Sequence, residues 1–148
     1  MRITYKGDYA LKAVLDLALH YNQGVVTIHY LASMADVPFK FLEQVLLDLK
    51  KGGFVDSKRC INGGYFLSRY PKDIKLGEVI RFMDGPVEPI GCASLENNYD
   101  GCADIYKCVF RRIWLKVSES ISAIVDNTTF EDMAGEVNKD QGTLLYQI

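Results

Sequence analysis

Three cysteines lie close together in the second half of this 148-residue chain, and their types and spacing are well suited to chemistry. Nine residues separate Cys92 from Cys102 and five separate Cys102 from Cys108, in a stretch without helix or strand periodicity. Thiolates so spaced can converge on one centre, and soft sulfur ligands suit an iron–sulfur cluster or zinc. Zinc sites usually have more closely paired cysteines, and three unrelated thiols are a further alternative.

The elements on either side of these cysteines would position them. Residues 87–107 read as a loop of about twenty residues, a length that is unusual in a compact domain unless the loop has a function. A helix is predicted from Cys108 or Val109 to Asp126, with an apolar stripe formed by Phe110, Ile113, Trp114, Val117, Ile121, Ile124 and Val125. Burial against the same helix of a second copy is the natural prediction, and folding back on its own chain is the alternative.

Residues 27–67 predict a helix, a turn, a second helix and a hairpin in that order. Thr27 is a good N-cap for the first helix, and Pro38 stands where the second helix would begin. The buried face of the second helix is predicted from the spacing of Leu42, Val45, Leu46 and Leu49. The segment Asn62-Gly63-Gly64 is a strong hairpin signal. This order is that of a winged helix-turn-helix, a unit that reads DNA.

The predicted DNA contacts come from the second helix, the hairpin and the chain start. Glu43 and Gln44 can pair with base edges, and Lys40 can meet a phosphate or a guanine. Lys58 and Arg59 at the hairpin suit a narrow minor groove, beside glycines expected to be flexible. A plain protein-interaction module is the alternative. The full predicted DNA-binding set is Arg2, Thr4, Lys6, Thr27, Pro38, Phe39, Lys40, Phe41, Glu43, Gln44, Lys58, Arg59, Gly63, Gly64 and Tyr65.

The charge distribution agrees with this assignment. Residues 1–75 hold eleven Lys and Arg against seven Asp and Glu, whereas residues 76–148 hold six against twelve. The positive part of the chain, residues 1–75, is called the head below, and residues 76–148 form an acidic part. This separation of charge predicts salt-sensitive, oriented DNA binding. No apolar run has membrane length and the N-terminus has no apolar signal region, so a cytoplasmic protein without a membrane partner is expected. An enzyme is not predicted, because no nucleophile–base pair or phosphate loop is recognisable.

The remaining elements complete a fold class that is mainly α with a small β-hairpin. A helix from about Asp8 to Tyr21 is apolar on most sides, and a partner subunit could cover it. Thr128 with Glu131 predicts a capping box for a last short helix. The predicted division is a winged helix-turn-helix domain at 1–86, a cysteine-bearing sensor loop at 87–107, and a dimerisation helix and tail at 108–148.

Four segments resemble the bacterial winged-helix regulators typified by the iron–sulfur cluster regulator IscR, the nitric-oxide sensor NsrR and the cysteine-metabolism repressor CymR. They are MRITYKGDYAL, FLEQVLLDLKKGGFVDSKR, GGYFLSRYPKDIKLGEVI and TTFEDMA. The resemblance implies a homodimeric repressor or activator that binds a double-stranded DNA operator, with crossing C-terminal helices and a sensor loop between them. In cluster-binding members that loop carries three cysteines, which match Cys92, Cys102 and Cys108 and imply a 2Fe–2S or 4Fe–4S cluster.

The chain departs from the family pattern in three places. Cys60 stands where the wing commonly has glycine, and the interval from Cys92 to Cys102 is longer than in the IscR type. Arg111, which cannot ligate, stands where that type places a histidine. Resemblance to the NsrR type implies Asp8 of the other subunit as the fourth ligand, but Asp8 could equally be an acidic residue favoured at a helix N-terminus. The loop carboxylates Asp100 and Asp104, or a small exogenous molecule, are further candidates.

A second function follows from the C-terminal tail. The segment EDMAGEVNKDQGTLLYQI looks more like the CymR type, whose members lack the cysteines and are controlled through a partner enzyme. The alternative is therefore a cluster-free repressor of the cysteine-metabolism type that answers to a protein partner. In that case the cysteines are incidental or thiol-reactive.

Overall fold

The computed structural model describes residues 2–94, 101–102 and 106–145 of the chain. These residues form six α-helices and one two-stranded antiparallel hairpin, which confirms the mainly-α fold class. The elements are α1 (Tyr5–Leu19), α2 (Ile28–Ala35), α3 (Phe39–Lys51), β1 (Val55–Lys58), β2 (Gly64–Leu67), α4 (Leu76–Asp84), α5 (Val109–Val125) and α6 (Phe130–Leu145), with 3-10 turns at Pro71–Asp73 and Gly91–Ala93.

Helix α1 is the centre of the fold. Ala10, Ala13, Val14 and Leu17 are at most 2% exposed, and α1 packs against α2, α3, α4, α6 and β2. Alanine at the contact positions allows the neighbouring helices to approach closely. The sequence predicts that a partner subunit could cover the apolar sides of α1. The chain's own α4 and α6 provide much of that cover.

The N-terminus of α1 is fixed by a carboxylate from the end of α4. The helix begins three residues before the predicted Asp8, because the Thr4 hydroxyl accepts a hydrogen bond from Gly7 N (3.1 Å) and caps it. Asp84 accepts from Thr4 N (2.9 Å) and from Thr4 Oγ1 (2.5 Å). A Cβ at Gly7 would collide with the Asp84 carboxylate, so glycine is needed for this close approach. The Asp84 side chain thus joins the end of α4 to the start of α1.

Helix α6 returns to the head of the molecule. Phe130 is fully buried and belongs to the same core as α1, and Ala134 joins it at 8% exposure. The capping box is formed by Thr129 and Asp132, whose side chains each accept from the other's backbone N–H, at 2.9 and 3.1 Å. The predicted box of Thr128 with Glu131 was wrong by one residue, because the Thr128 hydroxyl instead donates to Ile124 O at the end of α5 (2.9 Å). The predicted last short helix is 16 residues long.

The junction between α4 and α5 combines an ion pair with a small apolar cluster. Arg81 donates to both carboxylate oxygens of Asp126, at 2.5 and 3.0 Å, and to Ser122 Oγ at 3.2 Å. Ile80, Val87 and Val125 are buried beside this pair.

The division of the chain at 86 and 107 stays a prediction. No helix among the described residues combines the length and apolar character needed to cross a bilayer.

Two lysines bind the Asp48 carboxylate of α3. Lys6 comes from α1 and therefore joins the two helices, whereas Lys51 belongs to α3 itself. Lys6 Nζ lies 2.7 Å from Asp48 Oδ2, and Lys51 Nζ lies 3.0 Å from Asp48 Oδ1. The hydrogen bonds from Lys6 and Lys51 lower the pKa of Asp48 to about 2. Lys6, predicted to touch a phosphate, therefore also fixes the orientation of α3 against α1.

Replacing this carboxylate tests how much the ion pairs stabilise the fold. Because the folded pKa of Asp48 lies below its ordinary value, its stabilisation is present above about pH 4 and is lost as the pH falls towards 2. We expect Asp48→Asn to lower the free energy of unfolding by on the order of 1 kcal/mol at pH 7. The difference from the parent protein should vanish near pH 2, in urea titrations followed by circular dichroism. Asp73→Asn, an exposed carboxylate with no such pair, is the control; an Asp48→Asn deficit that is constant with pH contradicts the assignment.

Candidate nucleic-acid interface and cysteine loop

The face of α3 that points away from the core carries the predicted base-reading side chains. Leu42, Val45, Leu46 and Leu49 are at most 1% exposed, as their spacing predicts. The predicted contact residues at the start of the helix are all exposed: Pro38, Phe39, Lys40, Phe41, Glu43 and Gln44. Helix α2 ends at Ala35, and its C-cap Asp36 adopts the left-handed conformation (φ 50°) and makes the turn into α3. The helix-turn-helix is therefore formed as predicted, with its second helix open to solvent.

A groove of about 470 Å³ runs between the hairpin, the start of α2 and the later part of α3. The hairpin contributes Lys58, Arg59 and Tyr65, and the N-cap Thr27 also lines the groove. Thr27 also accepts from Tyr30 N at 3.3 Å, which caps α2. Other lining residues were not predicted as DNA contacts; they are Ile28, His29, Leu47, Lys50, Ser57 and Ile61.

Lys50 joins the hairpin to α3, the second helix of the helix-turn-helix, which is called the recognition helix below. Its Nζ lies 2.7 Å from Asp56 Oδ1 and donates to Ser57 Oγ at 2.8 Å. The hydrogen bond from Lys50 holds the pKa of Asp56 below its ordinary value. Sequence analysis missed this role because the contact joins the last turn of a helix to the following strand, which no local spacing rule identifies.

The two wing glycines allow close backbone approach, and the flexibility expected of them stays a prediction. A Cβ at Gly63 would collide with the carbonyl oxygen of Lys58, and one at Gly64 would meet the backbone of Val26. Val26 pairs with Tyr65 through two backbone hydrogen bonds of 2.8 and 2.9 Å. The hairpin is thus joined to the segment before α2 as well as to α3.

The tip itself is a tight turn. Gly63 N donates to Cys60 O at 2.9 Å, which places Ile61 and Asn62 at the two central positions. Arg59, Cys60, Ile61 and Asn62 are all exposed. The β1–β2 register pairs Lys58 with Gly64, so the cationic side chains Lys58 and Arg59 stand at the base of this turn.

The predicted contacts at the chain start have mixed positions. Arg2, Thr4 and Lys6 are exposed, but Thr4 caps α1 and Lys6 is paired with Asp48. Asp8, the predicted fourth metal ligand, lies in the first turn of α1, where its carboxylate is 2.7 Å from Lys12 Nζ. It also lines an open cleft with Arg2, Ile3, Thr4 and Tyr5. The hydrogen bond with Asp8 raises the pKa of Lys12.

Two of the three loop cysteines are associated with the N-terminus of α5. Cys108 is the N-cap of α5, and Cys92 lies in the Gly91–Ala93 turn, which packs against α5. Arg111 Nε donates to Cys92 O at 2.8 Å, so the residue that replaces the expected histidine holds the backbone of the first cysteine. Cys92 and Cys108 are half-buried and Cys102 is exposed, and none of the three forms a disulfide.

The described residues do not gather into a metal site within one chain. Among them, no group of three or more His, Cys, Asp and Glu side chains is close enough to hold a metal ion. The structure therefore does not bring Cys92, Cys102, Cys108 and Asp8 together. The alternative ligands Asp100 and Asp104 lie outside the described residues. The donor chemistry nevertheless fits an iron–sulfur cluster, because three free thiols lie in one loop and two of them are held at one helix end.

Comparison with known proteins identifies the family. Residues 3–136 match the Rrf2 model, described as an iron-dependent transcriptional regulator. An Rrf2-like HTH-type transcriptional regulator of Rhodobacter capsulatus is 38% identical over 141 residues, covering 92% of this chain and 94% of that protein. The solved IscR of T. potens is 33% identical with a TM-score of 0.76, covering 95% of this chain and 91% of that one. The solved CymR of B. subtilis, a global cysteine regulator, is 29% identical with a TM-score of 0.77, covering 92% and 98%. With the winged helix-turn-helix and the family match in agreement, this chain belongs to the Rrf2 family of DNA-binding transcriptional regulators.

Proposed function

We propose that this protein is a cytoplasmic homodimer whose binding to a DNA operator depends on an iron–sulfur cluster held by Cys92, Cys102 and Cys108. The observation that carries this proposal is the set of three free thiols in one loop. Two of them lie at the N-terminus of α5, because Cys108 is its N-cap and Cys92 lies in the Gly91–Ala93 turn that packs against it. The relatives named IscR support a cluster, and the fold neighbour CymR supports a regulator of the same architecture.

The DNA-binding surface consists of the open face of α3 and the groove beside the wing. Glu43 and Gln44 would meet base edges in the major groove, while Lys40 would meet phosphate or guanine. Pro38 has no side-chain hydrogen bond to offer, so backbone N–H groups in the first turn of α3 stay available to a phosphate. Arg59 and Lys58 would enter the adjacent minor groove, because a narrow minor groove attracts cations.

Dimerisation would bury the apolar stripe of α5. Phe110 is 74% exposed, Ile113 53% and Ile124 66%, although all three are large apolar side chains on one side of the helix. A different side, which carries Arg111, Ser118, Ser122 and Val125, faces the chain's own α4 and Gly91–Ala93 turn. Val125, which was predicted as part of the stripe, is therefore covered by the chain itself, whereas Phe110, Ile113 and Ile124 are left uncovered. Their exposure favours a second copy over folding back.

Binding of the cluster would reach the DNA-reading helix through α1. The three thiolates would supply soft ligands, and the cluster would supply a redox- and nitric-oxide-sensitive centre. Asp84 at the end of α4 binds Thr4, the N-cap of α1, and Lys6 in the first turn of α1 holds Asp48 of α3. If Asp8 of the partner completes the ligand set, it must leave Lys12, so α1 and the loop would be tied across the dimer.

A cluster-free repressor controlled by a protein partner is the second candidate. It is favoured by Arg111, which takes the position of a histidine ligand and is engaged with a backbone carbonyl. The likeness to CymR over 92% of the chain supports the same alternative. The two candidates differ in colour, because protein purified without oxygen is brown only when a cluster is bound.

The wing and the recognition helix should have separable effects on DNA binding. We expect Arg59→Ala to weaken operator binding by about 1–3 kcal/mol, because it removes a minor-groove contact. Glu43→Ala should change base preference more than overall affinity, since it removes a base contact and no cation. Fluorescence anisotropy with the selected operator and its single-pair variants measures both. Arg112→Ala, which removes an exposed arginine from α5, is the matched control; equal effects of Arg59→Ala and Arg112→Ala would remove the wing from the interface.

The apolar stripe of α5 should be the dimer interface. We expect Ile113→Glu to produce monomers in analytical ultracentrifugation at micromolar concentration, because it buries a charge in the middle of the stripe. Glu119→Lys, on the opposite side of the same helix, should leave the dimer intact. A dimer that survives Ile113→Glu would place the interface elsewhere.

Of the four cysteines in the chain, only the three in the loop should be needed for the cluster. Cys92→Ser, Cys102→Ser and Cys108→Ser should each abolish or severely destabilise it, because three thiolates are the smallest ligand set that the loop provides. Cys60→Ser, in the wing, should retain it. Iron and sulfide analysis with absorption spectra of anaerobically purified protein measures the outcome, and zinc analysis separates a zinc site. Full occupancy in Cys102→Ser protein contradicts the assignment.

The fourth ligand is tested in the same reconstituted protein. Asp8→Ala removes the proposed carboxylate ligand, which is harder and more easily displaced than thiolate. We therefore expect this variant to have an altered cluster spectrum and operator binding that no longer depends on the cluster. Lys12→Ala breaks the same ion pair but keeps the carboxylate, and should retain the parent spectrum. Identical spectra in Asp8→Ala and the parent protein would reduce Asp8 to an acidic residue at a helix N-terminus.

A further inference from the structure

The wing tip carries an apolar side chain in a polar turn. Ile61 has a relative exposure of 105%, and its neighbours Arg59 and Asn62 are polar and exposed. Isolated exposed apolar residues are common on protein surfaces, so exposure alone decides nothing. A β-branched residue is nevertheless unfavourable in a tight turn, where Gly, Pro, Asn, Asp and Ser dominate. A residue that conflicts with its local structure in this way is often one that serves function.

Two backbone contacts define the turn that carries Ile61. Gly63 N donates to Cys60 O at 2.9 Å, and Gly63 lies so close to the Lys58 carbonyl that a Cβ there would collide with it. Isoleucine is also stiff about χ1, so little side-chain entropy is lost when it is held against a surface. Its charged surroundings, Lys58 and Arg59, fit a polyanion better than an apolar protein partner.

We propose that Ile61 contacts the floor of the minor groove and selects A·T pairs beneath the wing tip, an inference that rests on the proposed placement of the wing on DNA. A·T and T·A pairs present only acceptors in the minor groove, whereas a G·C pair adds the 2-amino donor of guanine. Arg59 beside the tip can satisfy acceptors but has no acceptor of its own. The guanine amino group would therefore be covered by Ile61 and left without a partner, which is unfavourable.

Inosine provides the decisive comparison. An inosine·cytosine pair presents the major-groove pattern of G·C but lacks the 2-amino group. The intact protein first selects an operator from random DNA, and each A·T pair is then replaced by G·C or by inosine·cytosine. At the pairs beneath the wing tip, we expect G·C to weaken binding about tenfold and inosine·cytosine to restore it close to the A·T level.

Variants of the tip assign this preference to Ile61. Ile61→Ser provides a hydroxyl that can accept from guanine, so it should abolish most of the tenfold G·C penalty, while Ile61→Val should keep it. Met34→Ser, the loss of an exposed apolar side chain from α2 and outside the wing, should leave the preference unchanged. The proposal is overturned if the G·C penalty is the same in Ile61→Ser and the parent protein, or if inosine·cytosine is as unfavourable as G·C.

The result also separates this inference from the proposed DNA-binding mode. If Arg59→Ala weakens binding while Ile61→Ser keeps the G·C penalty, only the role of Ile61 is lost. If Arg59→Ala has no effect and no base pair shows the penalty, the wing does not enter the groove and the proposed placement fails as well.

Discussion

The burial of helix α1 is the constraint on which the remaining structure depends. Its alanines at 10 and 13 and its larger neighbours Val14 and Leu17 exclude water from the contacts with four helices and a strand. A buried side chain of the size of Val14 or Leu17 contributes on the order of 1.5–3 kcal/mol to the stability of the fold. Because α2, α3 and β2 all pack on α1, a shift of α1 would change the position of α3.

The N-terminus of α1 concentrates the polar contacts that could transmit such a shift. Within five residues, Thr4 is bound by Asp84, Lys6 binds Asp48, and Asp8 binds Lys12. These contacts connect the end of α4 and the recognition helix to the same helical turn. Half-exposed ion pairs contribute little to stability, so they can be exchanged at low cost when a ligand or partner competes for one member. This combination of a rigid apolar core and exchangeable polar contacts is well suited to a switch.

The wing shows the opposite balance, with its shape fixed on several sides. The Lys50 contacts with Asp56 and Ser57 join it to α3, and the Val26–Tyr65 pairing joins it to the segment before α2. The glycines at 63 and 64 allow these approaches because they lack a Cβ. A pre-positioned hairpin loses less conformational entropy on binding DNA than a mobile one would. The acidic second half of the chain, with twelve Asp and Glu against six Lys and Arg, would orient the positive head towards the DNA.

The local pattern of the sequence was enough to predict the helix-turn-helix, the wing and the exposed stripe of α5. These features depend on residues three or four positions apart, as with Leu42, Val45, Leu46 and Leu49, whose burial agrees with their spacing. Glycine and proline signals likewise placed the turn after α3 and the hairpin. The cysteines identified the candidate sensor loop by residue type alone, and the family resemblance added an expected ligand set.

Only the tertiary structure decided which distant residues meet. The Thr4–Asp84 contact spans 80 positions and the Arg81–Asp126 contact 45, and neither follows from any local periodicity. The shift of the α6 cap from Thr128 to Thr129 has the same origin, because Thr129 pairs with Lys75 while Thr128 is taken by the end of α5. Arg111 could be recognised from the sequence as a missing ligand, but its bond to the Cys92 carbonyl depends on how the Gly91–Ala93 turn packs on α5. Helical spacing determines which side of an element is buried, whereas the partner of each polar group is set by packing between elements that are far apart in the chain.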